Sequence, residues 1–309
     1  MIVVAGEALI DLIGEDGALR VHMGGGPFNT AVALGRLGVP VGFLGRLSTD
    51  HHGQLLRSHL IASGVDLRYT LTGTAPTPLA VVQRTADCEH EFTFYLAETA
   101  YTDLDSTELP ELGDDVLALS AGTLGLATDP PRAALEALLE GESGRLLIVI
   151  DPNIRPAVMG DREVYRTHFE RWVGFAHVIK LSDADAAWLY PDTPAESIIE
   201  MLIGRGVRLA VVTRGAEGAV ARSATARAEV AATPVDVVDT VGAGDAFVAG
   251  MLGWLSRGDL LAPNAVGGLD SVALTDGLRF AATVAGLQCS RSGATPPMLA
   301  EVEALLAVR

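Results

Sequence analysis

The sequence predicts an α/β fold with a doubly wound, mainly parallel sheet flanked by helices, and three observations support this class. From Val116 onward, short apolar runs alternate with longer segments of helical pattern, which is typical of parallel strands joined by helices. The run Ile2–Ala5 is apolar throughout, like a strand buried on both faces. The chain has 309 residues, which is long enough for a large core, and we expect a single domain spanning 1–309.

The elements of the main sheet are expected to follow each other along the chain. After Ile2–Ala5 the predicted strands are Val116–Ser120, Leu146–Asp151, His177–Lys180 and Leu209–Thr213. The helices predicted between and after them are Pro131–Glu140, Arg162–Val173, Asp183–Leu189, Pro194–Ile203, a buried helix beginning near Ala246, and Leu278–Gly286. Ligands of such folds bind at the carboxyl ends of the strands, so we expect the site there.

Two pairs of strand-like segments predict a small β-sheet lid, which is inserted into the domain at about 12–23 and 79–101. The first pair, Ala8–Ile13 and Ala18–Met23, flanks an Asp-Gly turn at 16–17. The second pair, Leu79–Arg84 and His90–Leu96, flanks 85–89. Phe94 in this second pair is expected either to pack on a bound sugar or to belong to the core of the lid.

Composition excludes several classes of partner. The net charge of −17 argues against nucleic acid and anionic membrane, because both require a positive surface. The N-terminus has no basic leader segment, and no apolar run reaches transmembrane length, so a cytoplasmic location is expected. Because the protein as a whole is acidic, a phosphate ligand must be held by a local group of hydrogen-bond donors or positive charges.

One such feature is the segment 239–250, where three small residues precede an apolar helix. Gly242, Ala243 and Gly244 let backbone amides face a ligand, and the positive end of the helix dipole points the same way. Asp245 projects into this spot, where a carboxylate suits a general base for a hydroxyl that attacks phosphorus. The alternative is that Asp245 only caps the helix. Arg155, which follows a predicted strand, offers a planar fork for phosphate or carboxylate.

The motifs D-T-x-G-A-G-D at 239–245 and G-G-P-x-N-x-A at 25–31 resemble the signatures of the ribokinase-like (PfkB) carbohydrate kinase family. The motif D-P-N-x-R at 151–155 resembles the fructokinase and 2-keto-3-deoxygluconate kinase branches, and the ending C-S-R-S-G-A-T-P-P at 289–297 resembles the bacterial fructokinases. The early, middle and late motifs occur in the family's order along the whole chain.

This resemblance implies a role for each matching residue. Asp245 would be the catalytic base, and the amides of Gly242–Gly244 with Arg155 would hold the transferred phosphoryl group. The sugar would be held by Asp11, Gly25, Gly26 and Asn29. The nucleotide would lie against Lys180, Ser182, Thr213, Gly215, Gly218, Gly242 and Gly244. Asp185, in place of the family's usual Glu, would orient water around Mg²⁺.

The resemblance implies ATP and Mg²⁺ as cofactors and leaves room for a monovalent cation such as K⁺. The sequence contains no Walker A loop, which disfavours a P-loop kinase. It also lacks the third glycine of a dinucleotide fingerprint, which disfavours a dinucleotide-dependent dehydrogenase.

We therefore expect an ATP-dependent sugar kinase that acts on a terminal hydroxyl of a ketose. Fructose is the first choice of substrate, and 2-keto-3-deoxygluconate is its closest competitor. Another sugar or nucleoside kinase of the family and a non-catalytic sugar-binding regulator are the alternatives. Expected partners are sugar, ATP and, through the lid, a second copy of the chain.

Overall fold

The computed structural model describes residues 1–15, 18–84 and 90–308, and these confirm the predicted α/β class. The strands are β1 Ile2–Ala5, β2 Leu9–Glu15, β3 Ala18–Gly24, β4 Val41–Leu44, β5 Arg46–Ser48, β6 Leu71–Gly73, β7 Leu79–Arg84, β8 His90–Tyr95, β9 Ala118–Gly122, β10 Leu147–Asp151, β11 Val178–Ser182, β12 Leu209–Thr213, β13 Ala219–Ser223 and β14 Arg227–Val230. The α-helices are α1 Gly26–Arg36, α2 His51–Ala62, α3 Pro131–Glu142, α4 Pro156–Met159, α5 Arg162–Val173, α6 Asp183–Leu189, α7 Ala195–Gly204, α8 Ala243–Arg257, α9 Pro263–Gly267, α10 Ser271–Cys289 and α11 Leu299–Ala307.

The main sheet has the strand order β14-β13-β12-β11-β10-β9-β1-β4. The strands from β4 to β12 run parallel, whereas β13 and β14 are antiparallel additions that the sequence pattern did not predict. The register places Asp151 opposite Gly122 and Ser182 opposite Thr213, so the polar residues at these strand ends share one edge. This edge is where ligands of doubly wound sheets bind.

Apart from the edge strand β14, the sheet is buried on both faces, as its apolar strands predicted. Successive residues of β1 point into different cores: Ile2 and Val4 belong to one hydrophobic cluster, Val3 and Ala5 to the other. Helices α1, α8 and α10 contribute to the first cluster, and α3, α5, α6 and α7 contribute to the second. No helix among the described residues is long and apolar enough to cross a membrane.

The predicted strands over 116–120 and 177–180 are displaced in the structure, because β9 covers Ala118–Gly122 and β11 covers Val178–Ser182. An apolar run in the sequence indicates which residues are buried, whereas hydrogen-bond pairing with the neighbouring strands decides where a strand begins. The predicted and observed strand ends therefore differ here by up to two residues. The helix predicted over 278–286 is also longer in the structure, from Ser271 to Cys289.

A second sheet forms the lid, with the strand order β3-β2-β7-β8. Strands β2 and β3 are an antiparallel pair, β7 and β8 are another, and β2 runs parallel to β7. The predicted turn at 16–17 and the loop at 85–89 lie outside the described residues. Strands β5 and β6 form a further two-stranded sheet. The first strand of the lid follows β1 closely, so the lid lies at the edge of the main sheet that carries the polar residues.

Candidate active site

Helix α8 begins with a turn that leaves backbone donors facing the site. Gly242 has left-handed dihedral angles (φ 75°, ψ 3°), and the helix starts at the next residue. The amide of Ala243 donates to Thr240 O at 3.2 Å. Among the described parts of the chain, the amides of Gly242 and Gly244 have no hydrogen-bond acceptor. Two of the three predicted amides are therefore available to an anion, while the third is used to close the turn.

The carboxylate of Asp245 is buried and is held by two asparagines from other segments. Its Oδ2 accepts a hydrogen bond from Asn29 Nδ2 at 2.9 Å, and its Oδ1 accepts one from Asn153 Nδ2 at 3.2 Å. The residue at the helix N-cap is Gly242, and no side chain caps the helix. The alternative that Asp245 only caps α8 is therefore wrong.

A cavity of about 240 Å³ lies in front of Asp245, between the edge of the main sheet and the lid. It collects every residue that was predicted for the sugar and the phosphoryl group: Asp11, Gly25, Gly26, Asn29, Phe94, Arg155, Gly242, Ala243, Gly244 and Asp245. It also contains residues to which the sequence assigned no individual role: Glu7, Leu9, Thr123, Leu124, Asn153, Thr240 and Val241. We refer to it as the sugar cavity.

The glycines at the start of α1 allow segments of backbone to approach closely. Gly25 has φ 106°, and a Cβ there would lie 2.7 Å from Glu7 O. A Cβ at Gly26 would lie 2.3 Å from Thr123 Oγ1 and 3.2 Å from Asp245 Oδ1. Side chains at these positions would fill the floor of the cavity, so the glycine run is a requirement of the site and more than a flexible loop.

Glu7 supports this floor from beneath. The side chain is buried, and its two oxygens accept hydrogen bonds from the amides of Gly26 and Gly125, each at 3.0 Å. Burial raises the pKa of Glu7 to about 8, against the opposing effect of these hydrogen bonds. Its position just after a buried strand, at the edge where ligands bind, is the signal that could have identified it.

The other carboxyl groups of the cavity also hold protons more tightly than usual. Burial raises the pKa of Asp11 to about 7, and the nearby charge of Asp245 adds to the effect while Arg155 opposes it. Burial likewise raises the pKa of Asp245, although Asn29, Arg155 and Lys180 partly offset the increase. A raised pKa makes Asp245 a stronger base than an exposed aspartate.

Asn153 and Arg155 come from the turn that follows β10. Asn153 has φ 42°, a left-handed conformation that asparagine tolerates better than most residues. The Nη1 atom of Arg155 donates to Asn153 Oδ1 at 2.8 Å and to Asn153 O at 3.1 Å. The guanidinium thereby fixes the side chain that holds Asp245, and Arg155 itself lines the sugar cavity.

A second cavity, of about 560 Å³, lies on the other side of the α8 N-terminus. The predicted nucleotide residues Lys180, Ser182, Thr213, Gly215, Gly218 and Gly244 line it, and Gly242 lines the sugar cavity alone. Its walls are mostly apolar and include residues that were not predicted: Ala232, Thr233, Val235, Val237, Ala285, Gly286 and Cys289. Asn153, Thr240, Ala243 and Gly244 line both cavities, so the two spaces meet at the start of α8. We call it the nucleotide cavity.

Lys180 lies buried at this meeting point. Its Nζ is 3.0 Å from Asp151 Oδ2 and 3.2 Å from where a Cβ on Gly244 would be. Burial by itself lowers the pKa of Lys180, but Asp151 and Asp185 outweigh burial and the pKa is raised. The ammonium group therefore stays charged beside the helix start that carries Asp245.

Asp185 has a structural role that was not predicted. Its Oδ1 accepts a hydrogen bond from the amide of Ile154 at 2.7 Å, and its Oδ2 accepts one from the amide of Ser182 at 2.8 Å. With Ser182 it forms a capping box at the start of α6. Asp185 lines neither the sugar cavity nor the nucleotide cavity. Its role toward Mg²⁺ stays a prediction.

Asp245 lies buried where a small polar cavity meets a larger, mostly apolar cavity, and this arrangement favours a kinase for small molecules. The chain belongs to the pfkB family of carbohydrate kinases, whose sequence model matches residues 1–301. It is 36% identical over 282 residues to a fructokinase from Rhizobium leguminosarum bv. trifolii, covering 90% of this chain and 86% of that protein.

Solved structures of two fructokinases superimpose on nearly the whole of this chain. The fructokinase from Xylella fastidiosa with bound ATP superimposes with a TM-score of 0.91 at 29% identity, covering 99% of this chain and 98% of that one. A double mutant of the fructokinase from Vibrio cholerae O395, with fructose, ADP and potassium ion bound, superimposes with a TM-score of 0.84 at 26% identity. That match covers 99% of this chain and 97% of the other.

Proposed function

We propose that this chain is a fructokinase, which transfers the γ-phosphoryl group of ATP to a terminal hydroxyl of fructose. The observation that carries the proposal is the junction of the sugar and nucleotide cavities at Asp245, beside the two available amides of α8. The relatives described above support it, because all three are fructokinases, and the two solved structures hold ATP in one case and fructose with ADP in the other.

Asp245 acts as the general base in this proposal. As the sugar oxygen attacks the γ-phosphorus, its proton passes to the carboxylate, the bond from phosphorus to the bridging oxygen breaks, and ADP leaves. Asn29 and Asn153 hold one carboxylate oxygen each, so the base has a fixed orientation. Positioning of this kind supplies much of the rate enhancement in phosphoryl transfer.

Three kinds of group stabilise the negative charge on the transferred phosphoryl group in this proposal: backbone amides, a guanidinium and an ammonium group. The amides of Gly242 and Gly244 lie at the positive end of α8, and Arg155 lines the sugar cavity in front of them. Lys180 lines the nucleotide cavity from the other side, and its charge is kept by Asp151. The two side-chain cations therefore approach the phosphates from opposite directions.

Mg²⁺ is also part of the proposal. The described residues contain no cluster of three or more metal-binding side chains. Mg²⁺ in nucleotide sites is held by phosphates, water and one or two carboxylates. Asp183 lines the nucleotide cavity, and the buried Oδ1 of Asp151 has no hydrogen-bond partner among the described residues. When bound, the ion would neutralise charge on the phosphates.

The charges of the sugar cavity favour a neutral sugar over 2-keto-3-deoxygluconate. Arg155 is its only cationic lining residue among those described, whereas Glu7, Asp11 and Asp245 are acidic. A sugar carboxylate would gain one cationic partner but face the carboxylate of Asp245 and, above a pKa of about 7, that of Asp11. Glu7, with a pKa of about 8, keeps its proton near neutral pH and adds no charge. Like charges at short range in a site of low dielectric are costly, so an anionic sugar should bind poorly.

The test is ADP release measured with fructose, 2-keto-3-deoxygluconate, ribose and a nucleoside as acceptors. Fructose should give the highest kcat/KM. A preference of about tenfold or more for the sugar acid, which equals about 1.4 kcal/mol of transition-state binding, would refute fructose as the substrate. Sugar binding without ADP release from any acceptor would support the regulator alternative.

The lid also suggests a contact with a second copy of the chain. Its edge strands β3 and β8 expose apolar side chains: Leu19 is 57% exposed, Val21 50% and Tyr95 57%. Open edges with apolar residues invite pairing with another strand, so we propose a homodimer through the lid. The cytoplasmic location stays a prediction.

A further inference from the structure

We propose that Thr123 determines part of the sugar specificity of this chain, because its hydroxyl group donates a hydrogen bond to the ring oxygen of a furanose sugar. This inference rests on the proposed function, since it names the sugar atom that one side chain of the sugar cavity recognises. Thr123 is 8% exposed and lines that cavity. Its backbone, its neighbours and the polarity of the cavity all point to this role.

The backbone of Thr123 has a conformation that threonine rarely adopts. At the end of β9 its φ is 51°, in the left-handed region, where a β-branched residue is an outlier and glycine is favoured. The contacts of the next two residues hold this conformation. Leu124 O accepts a hydrogen bond from the hydroxyl of Tyr101. The amide of Gly125 donates one to Glu7 at 3.0 Å. Glycine would fit this backbone without strain, so the threonine side chain indicates a task in the site.

The hydroxyl of Thr123 lies beside the general base. Asn153 Nδ2 donates to Asp245 Oδ1 at 3.2 Å and, with a longer bond, to Thr123 Oγ1 at 3.4 Å. A Cβ on Gly26 would lie 2.3 Å from Thr123 Oγ1 and 3.2 Å from Asp245 Oδ1. In the described part of the chain, no acceptor pairs with the hydrogen of the Thr123 hydroxyl. A sugar whose terminal hydroxyl meets Asp245 therefore brings its neighbouring atoms to a free donor.

The chemistry of a furanose selects the ring oxygen as the partner of this donor. Both terminal CH₂OH groups of fructofuranose are attached to carbons that carry the ring oxygen, so this atom is close to whichever terminal hydroxyl reacts. Sugar hydroxyls can donate to the carboxyl groups of Asp11 and Asp245, whereas the ring oxygen can only accept. Without a donor it would be buried and unpaired, which is costly.

The other side-chain donors near the base are directed elsewhere. The Nδ2 atoms of Asn29 and Asn153 donate to Asp245, and Nη1 of Arg155 donates to Asn153. The amides at the start of α8 are assigned to the phosphoryl group in the proposed function. Thr123 is therefore the donor placed to meet the sugar ring.

The experiment measures kcat/KM of the full chain for fructose and for the carbocyclic analogue of fructofuranose, in which CH₂ replaces the ring oxygen. Thr123→Val keeps the shape of threonine but lacks the hydroxyl, so its kcat/KM for fructose should fall about 5- to 150-fold, the range for a buried polar group left unpaired. The wild type should lose a similar factor on the analogue. Thr123→Val should use fructose and the analogue within about threefold of each other, and its KM for ATP should stay within about threefold of the wild type.

Three further variants separate recognition from structural damage. Thr123→Ser keeps the hydroxyl and should retain kcat/KM for fructose within about threefold. Thr123→Gly and Thr123→Ala both lack the hydroxyl and should lose activity equally, but the glycine variant should melt at the higher temperature because only glycine fits the positive φ without strain. The matched control is Thr167→Val, which makes the same change on the exposed face of α5 and should leave kcat/KM unchanged.

Three results would overturn the inference. The first is a kcat/KM of Thr123→Val for fructose within about twofold of the wild type. The second is a loss in that variant that is as large on the analogue as on fructose. The third is an alanine variant that melts as high as the glycine variant. Wild-type turnover of fructose tests the proposed function separately: if another sugar is the acceptor, the serine and valine variants are compared on that sugar, and equal activity of the two rejects the role of the hydroxyl.

Discussion

Replacement of Asp245 by asparagine should separate catalysis from stability. The asparagine amide has nearly the shape of the carboxylate but cannot accept a proton in the reaction. Loss of a general base lowers kcat by about 10²–10⁴-fold, which raises the barrier by about 3–5 kcal/mol. Nucleotide affinity should change little, because Asp245 does not line the nucleotide cavity.

The effect on stability follows from the contacts of the carboxylate. Asn29 and Asn153 each donate to one oxygen of Asp245, so an amide at 245 must turn its NH₂ toward one of these donors and lose that hydrogen bond. A hydrogen bond to a charged group contributes about 1.5–3 kcal/mol. Against this loss, the substitution removes a buried negative charge that also raises the pKa of Glu7 and Asp11. The two effects oppose each other, so we expect the melting temperature to stay within a few degrees.

The assay combines kcat for fructose, ATP affinity from calorimetry and the melting temperature. The matched control is Asp161→Asn, which changes an exposed aspartate that caps α5 through the amides of Glu163 and Val164. Asparagine and aspartate are equally good caps, so this control should keep both stability and kcat. If Asp245→Asn retains more than about a tenth of wild-type kcat, Asp245 is not the general base and the mechanism proposed above is wrong.

Three further predictions concern other parts of the molecule. Arg155→Ala should mainly lower kcat for fructose, since a neutral sugar leaves the guanidinium only the phosphoryl group and Asn153 to engage; a steep rise in KM for the sugar instead would indicate that the sugar itself is charged. Glu7 holds a proton in the folded protein up to a pKa of about 8 and releases it near 4.5 when unfolded, so its contribution to stability is lost as pH rises through this window. Chemical denaturation of Glu7→Gln should show a flatter dependence of unfolding free energy on pH than the wild type, and an unchanged slope would contradict the assignment. Leu19→Asp in the lid should shift the mass measured by light scattering toward the monomer, and a wild type that is already monomeric at micromolar concentration would rule out the proposed homodimer.

The parts of the site that could be predicted are those written in contiguous sequence. Gly242, Gly244 and Asp245 lie within four residues, and a helix start alone brings their backbone and side chain to one place. The same holds for Gly25, Gly26 and Asn29 at the start of α1. Because local geometry decides these contacts, a short motif is enough to predict them.

The parts that escaped prediction are contacts between segments distant in sequence. Asn153 reaches Asp245 across 92 positions, and Glu7 reaches the amide of Gly125 across 118. Gln288 lies beyond the helix predicted over 278–286, and nothing in the sequence indicated its contact with Val241 O before α8. Contacts of this kind are identified only when the sheet order brings the loops together, which no single stretch of sequence encodes.

The distribution of charge explains how so acidic a protein can bind a nucleotide and release a phosphorylated sugar. With a net charge of −17, the protein as a whole repels ATP, and the attraction is confined to the start of α8, Lys180 and Arg155. Before transfer, the sugar cavity holds a neutral molecule among acidic side chains. After transfer, the sugar carries a dianionic phosphate, and Asp245 holds the proton that it accepted until this proton is released. Loss of that proton restores the negative charge of Asp245 beside the phosphate, and this repulsion weakens the binding of the product and promotes its release once ADP and its counter-ion have left.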